Sequence, residues 1–171
     1  MNLTTERLIL RSFALSDITE EYLGWLLDPY VTRFSNQRFV QHNYQTCLQY
    51  FNSFANTCNS FLLIIHKNDR VPIGTITVYR NVHHLTADIG IMIGNKNYWG
   101  QGLGLESWSI VLKTLLSENG MRKVTAGTLS LNKAMLNIMR SSGMTLESIR
   151  KSHELVDNQP VDLLYFASFA S

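Results

Sequence analysis

Cysteine is scarce: Cys47 and Cys58 are the only two in 171 residues. Both fall in a stretch that reads as one helix, which would hold them roughly 16 Å apart along its axis, too far for a disulfide. That spacing excludes a small disulfide-stapled fold and fits two apolar packing residues in a reducing cytoplasm. An excess of one charge sign is missing as well, with 15 Lys and Arg against 13 Asp and Glu. Without a clustered basic stripe, direct nucleic-acid binding is not expected. No apolar run approaches ~18 residues, and Met1 to Arg11 mixes charge with alternation and has no apolar stretch before a cleavage site. Neither a membrane span nor a secretory leader is therefore expected. What is present is a globular balance, 45% apolar and 16% charged, in a length that suits a single domain over 1–171.

Leu8 and Leu10 alternate with Arg7, Ile9 and Arg11, a mixed pattern that reads as an opening strand. Asp17 followed by Glu20 has the form of a capping box, and Ile18, Tyr22, Trp25 and Leu26 then recur at helical spacing until Asp28-Pro29 stops the helix. A second helix runs from Tyr44 through Leu48, Phe51 and Ala55 to Cys58, before the break at Asn59-Ser60. Phe61 to His66, a polar turn at Lys67 to Arg70, and Ile73 to Arg80 predict a hairpin. After a turn at Asn81 to His84, a third strand alternates through Ala87, Ile89, Ile91 and Ile93. A long amphipathic helix carries Leu105, Trp108, Val111, Leu112 and Leu115 and stops at Asn119-Gly120. Arg122 to Leu129 is a strand, Asn132 caps a short helix with Met135, Ile138 and Met139 on one face, and two strands near Thr145 to His153 and Val161 to Phe169 close the order. The last strands are the candidate surface for pairing two copies.

Between the third strand and the long helix lies Tyr98-Trp99-Gly100-Gln101-Gly102-Leu103-Gly104. Glycines at this spacing let the backbone turn tightly and approach a ligand, and the following helix start offers free N–H groups and a dipole that favour an anion. The letters fit neither a P-loop nor a dinucleotide fingerprint. They resemble the acetyl-CoA pyrophosphate loop of the GNAT superfamily of N-acetyltransferases, and the element order over nearly the whole chain matches. Thr5-Glu6-Arg7-Leu8 and Tyr98-Trp99-Gly100 are similar to the branch that acetylates ribosomal-protein N-termini.

The resemblance implies an α+β fold: a mostly antiparallel, splayed, seven-stranded sheet flanked by about four helices. It implies acetyl-CoA as co-substrate, with Ile91, Met92 and Ile93 offering backbone groups to the pantetheine arm and an N–H to the thioester carbonyl. Trp99, Gly100, Gln101, Gly102, Leu103, Gly104 and Leu105 would hold the pyrophosphate, and Asn132 would touch the cofactor as well as cap its helix. Two positions depart from the family: the tyrosine usual seven residues after the asparagine is Met139, and the serine some members place three after it is Met135, so neither side chain can donate a proton. Asp88, on the strand leading to the loop, is then the candidate base or amine-binding carboxylate, its alternative role being a structural hydrogen bond. Trp25, Tyr30, Phe34, Tyr79 and Tyr98 are candidates to line the acceptor pocket. His83 and His84 lie in a turn beside the Asp88 strand, where an imidazole, His83 first, could meet the substrate and serve as base, the alternative being a solvated loop pair. No third ligand at a recognisable spacing supports a metal. The expected acceptor is a primary amine: a protein N-terminus by resemblance, with a nucleotide-linked amino-sugar or a small polyamine as alternatives. The absent tyrosine and serine also leave open a catalytically silent acyl-CoA-binding module.

Overall fold

The computed structural model describes residues 1–118 and 120–170. Among them, eight strands form one sheet in the order β1-β2-β3-β4-β5-β6-β8-β7. The strands are β1 (Leu3–Thr4), β2 (Leu8–Ser12), β3 (Ser60–His66), β4 (Val71–Asn81), β5 (Thr86–Ile93), β6 (Lys123–Leu129), β7 (Thr145–Val156) and β8 (Gln159–Phe169). The helices are α1 (Glu20–Leu27), α2 (Pro29–Thr32), α3 (Tyr44–Asn52), α4 (Leu103–Ser117) and α5 (Lys133–Ser141). The seven expected strands and four expected helices are all present. To them the structure adds the two-residue β1 and the single turn α2.

β3 shows why this sheet separates two cores. Side chains alternate across a strand, so Leu62 and Ile64 enter one cluster with Leu10, Ile76, Trp108 and Phe166, beneath α4 and α5. Phe61 and Leu63 enter the other with Phe13, Tyr22 and Trp25, beneath α1 and α3. Each such buried side chain contributes about 1.5–3 kcal/mol.

Local signals set the helix ends. The Thr19 hydroxyl accepts from Tyr22 N–H at 3.2 Å and starts α1. Asp17, expected as that cap, instead sits in a 3-10 turn and pairs with Arg11 at 2.6 Å. Asp28 ends α1 and caps α2, accepting from Tyr30 N–H at 2.9 Å, with Pro29 in the first helical position where it needs no donor. Asn43 and Thr46 cap α3 reciprocally. α3 ends at Asn52, so Cys58 is not helical as expected: Ser53 N–H closes the last turn on Gln49 C=O, and an exposed turn carries the chain through Cys58 into β3. The predicted stop of α4 at Asn119-Gly120 falls partly on Asn119, outside the described residues.

Candidate active site

The single parallel contact of the sheet creates the site. β5 and β6 pair over Thr86↔Lys123, Ala87↔Val124 and Asp88↔Thr125 only. Beyond that point β5 stays with β4 as far as Ile93, and β6 stays with β8 as far as Leu129, so a gap opens between them. Gly94 N–H donates to Ile73 C=O at 2.9 Å. By the alternation of an antiparallel ladder, the main-chain groups of Met92 and Gly90 also face β4, and those of Ile91 and Ile93 face the gap. The Ile93 carbonyl accepts the Trp99 indole N–H at 2.7 Å, which fastens the glycine turn to the end of β5.

That turn needs its glycines. Gly100 and Gly102 have φ of 74° and 77°, a region L-side chains rarely adopt. Gly102 is the N-cap of α4 and supplies no side-chain bond. The first helical bond runs from Glu106 N–H to Gly102 C=O at 3.0 Å, so the N–H groups of Leu103, Gly104 and Leu105 have no acceptor within the helix. Gly104 permits close approach: a Cβ there would lie 3.1 Å from Ile138 Cδ1. Behind the turn, the Glu106 carboxylate accepts from the Thr5 hydroxyl at 2.6 Å, Arg7 N–H at 3.0 Å and Arg7 Nε at 2.7 Å. Arg7 also donates to Gln101 C=O at 3.0 Å. Burial alone would raise the Glu106 carboxyl, but the bonds from Thr5 and Arg7 hold it below the usual carboxylate range.

Gap and turn open into one cleft of about 1230 Å³. Ile91, Met92, Ile93, Trp99, Gly100, Gly102, Leu103, Gly104, Leu105 and Asn132 all line it, as do Tyr30, Phe34 and Tyr98. Gln101 does not; its side-chain amide donates to Asn97 C=O at 2.8 Å. Asn132 caps α5, accepting from Met135 N–H at 3.2 Å. Met139 is fully buried in the core, and Met135 is nearly so at one edge of the cleft.

Besides Gln101, four expected residues lie outside the cleft. Trp25 belongs to the core under the sheet, where a Cβ on Gly94 would fall 2.2 Å from its indole ring. His83 is in the turn after β4, its N–H bonded to Asn81 Oδ1, and it lines neither this cleft nor its neighbour. Tyr79 and Asp88 line a second, shallower pocket of about 390 Å³ at the closed end of the gap. The Thr125 hydroxyl donates to Asp88 at 2.8 Å. Crowding by the adjoining strands pushes the Asp88 carboxyl up, although its surface still meets solvent, and the Thr125 bond works in the opposite direction.

Other cleft residues had no sequence signal. Tyr50, His42 and Thr77 also line the cleft, and Glu154 on β7 is the one carboxylate in its wall among the described residues. Arg38 donates to Ser35 C=O at 2.8 Å and to Leu155 C=O at 3.1 Å, with Glu154 3.8 Å away. The segment before α3 is thereby joined to the β7–β8 hairpin, whose Glu154 and Leu163 line the cleft. Among the described residues, no group of three His, Cys, Asp or Glu is placed to hold a metal, and no helix is long and apolar enough to cross a membrane.

Comparison with known structures agrees with this architecture. A GNAT-family acetyltransferase from Bacillus anthracis superposes with a TM-score of 0.84 at 21% identity, over 99% of this chain and 98% of that one. RimL, a ribosomal L7/L12 α-N-protein acetyltransferase in complex with coenzyme A, gives 0.83 at 16% identity, over 97% and 96%. Spermidine N-acetyltransferase from Vibrio cholerae, in complex with CoA and spermine, gives 0.84 at 12% identity, over 96% of each chain. By sequence, no curated protein matches. The model of the acetyltransferase (GNAT) domain matches residues 7–145, and with the divided sheet and glycine turn inside that span the chain belongs to the GNAT acetyltransferase family.

Proposed function

We propose that this protein, acting as one domain, is an acetyl-CoA-dependent N-acetyltransferase that passes the acetyl group directly to a primary amine. The observation that carries the reading is the convergence, in one cleft, of an uncapped left-handed helix start with the β5 edge that the gap exposes. The fit is chemical: free N–H groups of Leu103, Gly104 and Leu105 at the positive end of α4 suit a pyrophosphate. Asn132 and the neighbouring face of α5 complete that half of the cleft.

Bound acetyl-CoA supplies an acetyl group activated as a thioester. Ile91, whose N–H faces the gap, polarises that carbonyl and holds the negative charge that develops on its oxygen. The cleft walls orient the amine. Neither cysteine serves as a nucleophile: Cys58 lies outside the cleft, and burial pushes the Cys47 thiol up, away from its reactive thiolate. The two unpaired thiols are in keeping with a cytoplasmic setting.

The favoured acceptor is a protein N-terminus, a slender chain end that a cleft of about 1230 Å³ admits. Glu154 lends weight to a second reading, a polyamine, because one carboxylate in the wall suits a second cationic group. Calorimetry with acetyl-CoA, followed by thiol-release assays with spermidine and with a hexapeptide bearing a free α-amine, tests both. Binding with release for one amine is expected. Binding without release for any amine would leave a silent acyl-CoA module, and absence of binding would refute the reading altogether.

A further inference from the structure

The inference here rests on the N-acetyltransferase reading and adds a route by which the acceptor amine loses its proton. Asp88 is the carboxylate nearest the vertex of the gap, yet it opens into the second pocket. The two pockets meet along one face of β4 and β5, where the register partners Tyr79–Asp88, Thr77–Gly90 and Thr75–Met92 stand in a row. Thr77 and Tyr50 line the cleft, while Tyr79 and Asp88 line the second pocket. Across that boundary the hydroxyls of Tyr50 and Tyr79 lie 2.8 Å apart. Both rings are clamped: Tyr50 packs edge-on against Phe54 at 5.3 Å, and Tyr79 lies 5.6 Å from the same ring. Gly90 keeps the sheet face open beside them, since a Cβ there would come within 3.1 Å of Thr77 Oγ1.

We propose that the Tyr50–Tyr79 hydroxyl pair is the proton exit of the acceptor site, carrying the proton of the acceptor ammonium out of the cleft and into the pocket of Asp88. An N–H bond of the ammonium breaks as an O–H bond forms on Tyr50. Tyr50 passes its own hydroxyl proton to the Tyr79 oxygen, and Tyr79 passes its proton through pocket solvent to the Asp88 carboxylate, which releases it to bulk water. Both phenols end neutral, and the amine gains its lone pair. Tyr50 and Asp88 are the relay ends, and Tyr79 acts as a positioning residue between them.

The surroundings suit this traffic. Tyr22, His42 and Cys47 face the cleft end, and burial pushes the Tyr22 and Tyr50 phenols up, so they keep their protons near neutrality. Around Asp88 stand Arg80, Arg122 and Lys123. Arg80 is tied to Cys58 C=O and Ser60 Oγ, Arg122 to His84 C=O, and Lys123 to Glu147.

The decisive variant is Tyr79→Phe, which leaves the cleft wall and the ring packing in place. It is assayed with whichever of spermidine and the free-amine hexapeptide the wild type acetylates. Near neutral pH, kcat is expected to fall about 100-fold, with KM for acetyl-CoA unchanged. The deficit should shrink as pH rises, because more of the amine then arrives neutral. Adding Asp88→Asn should cost little more, since both substitutions cut one route. A Tyr79→Phe protein with wild-type kcat and pH profile, or with a loss equal at every pH, overturns the relay. A wild type that acetylates neither amine overturns the acetyltransferase reading, and this inference with it.

Discussion

Glu106 is the residue whose loss should tell most about how the glycine turn is held. It lies in the first turn of α4, outside the cleft wall, with a side chain only 19% exposed. Replacing it with alanine removes the acceptor for the Thr5 hydroxyl, Arg7 N–H and the Arg7 guanidinium together. Hydrogen bonds to a charged group contribute about 1.5–3 kcal/mol each when partly buried. The guanidinium share is discounted to about 0.5–1 kcal/mol because Arg7 is 41% exposed. Some of these groups recover water, so the net loss is about 3 kcal/mol. For a chain of this length that lowers Tm by about 6–12 °C. Glu106→Gln keeps an oxygen for Thr5 and Arg7 N–H and should lose about half as much.

The pH dependence has a definite sign. Because the folded carboxyl is held below its unfolded value, its stabilisation is present above the unfolded pKa, roughly 4.3, and is lost as pH falls through the folded one. The gap in stability between wild type and Glu106→Gln should therefore narrow between pH 7 and pH 3. Urea unfolding at several pH values measures it, and calorimetry on the same samples should show weaker acetyl-CoA binding as the turn loses its tether. Wild-type stability in Glu106→Ala to within about 1 kcal/mol, or a gap that stays constant with pH, would show that the network is not what holds the turn.

Gly94→Ala should destabilise the protein by about 1–3 kcal/mol or more, since its Cβ would fall 2.2 Å from the Trp25 ring; thermal unfolding without ligand reads this, and an unchanged Tm would refute it. A thiol reagent should modify Cys58 rapidly and Cys47 slowly, because only the first is exposed and burial raises the second. Peptide mapping of the labelled protein distinguishes them, and equal rates would contradict the packing of α3.

Much of the fold was legible because local physics and tertiary packing agree along most of the chain. In the period-two run Ala87 and Ile89 are buried as their spacing predicts, and Ile91 and Ile93 are half-buried where the gap opens, while Trp108, Val111, Leu112 and Leu115 form the buried stripe of α4. The glycine turn was legible because positive φ leaves a chemical trace, glycine itself. Errors arose where several local solutions compete. Asp17 and Thr19 are both good caps, and an ion pair with Arg11 claims the first. Apolar spacing runs past Asn52 to Cys58, but the packed aromatic cluster of Tyr50, Phe54 and Phe61 draws the chain into a turn. Trp25 looked like pocket because an aromatic on an early helix does not announce which way it faces. Tyr50 and Glu154 were invisible for another reason: they reach the cleft from α3 and from the far hairpin, and only the tertiary fold brings them together.

The two separate cores have an evolutionary consequence. The glycine turn, α4 and α5 rest on one apolar cluster, whereas the helices bearing Tyr30 and Tyr50, with the turn bearing Phe34 between them, rest mainly on the other. Substitutions on the proposed acceptor side can repack locally without propagating strain into the proposed acetyl-donor side. Such a partition makes the choice of amine an interchangeable trait, so close relatives of this chain can diverge in what they modify while preserving the machinery that activates the acetyl group.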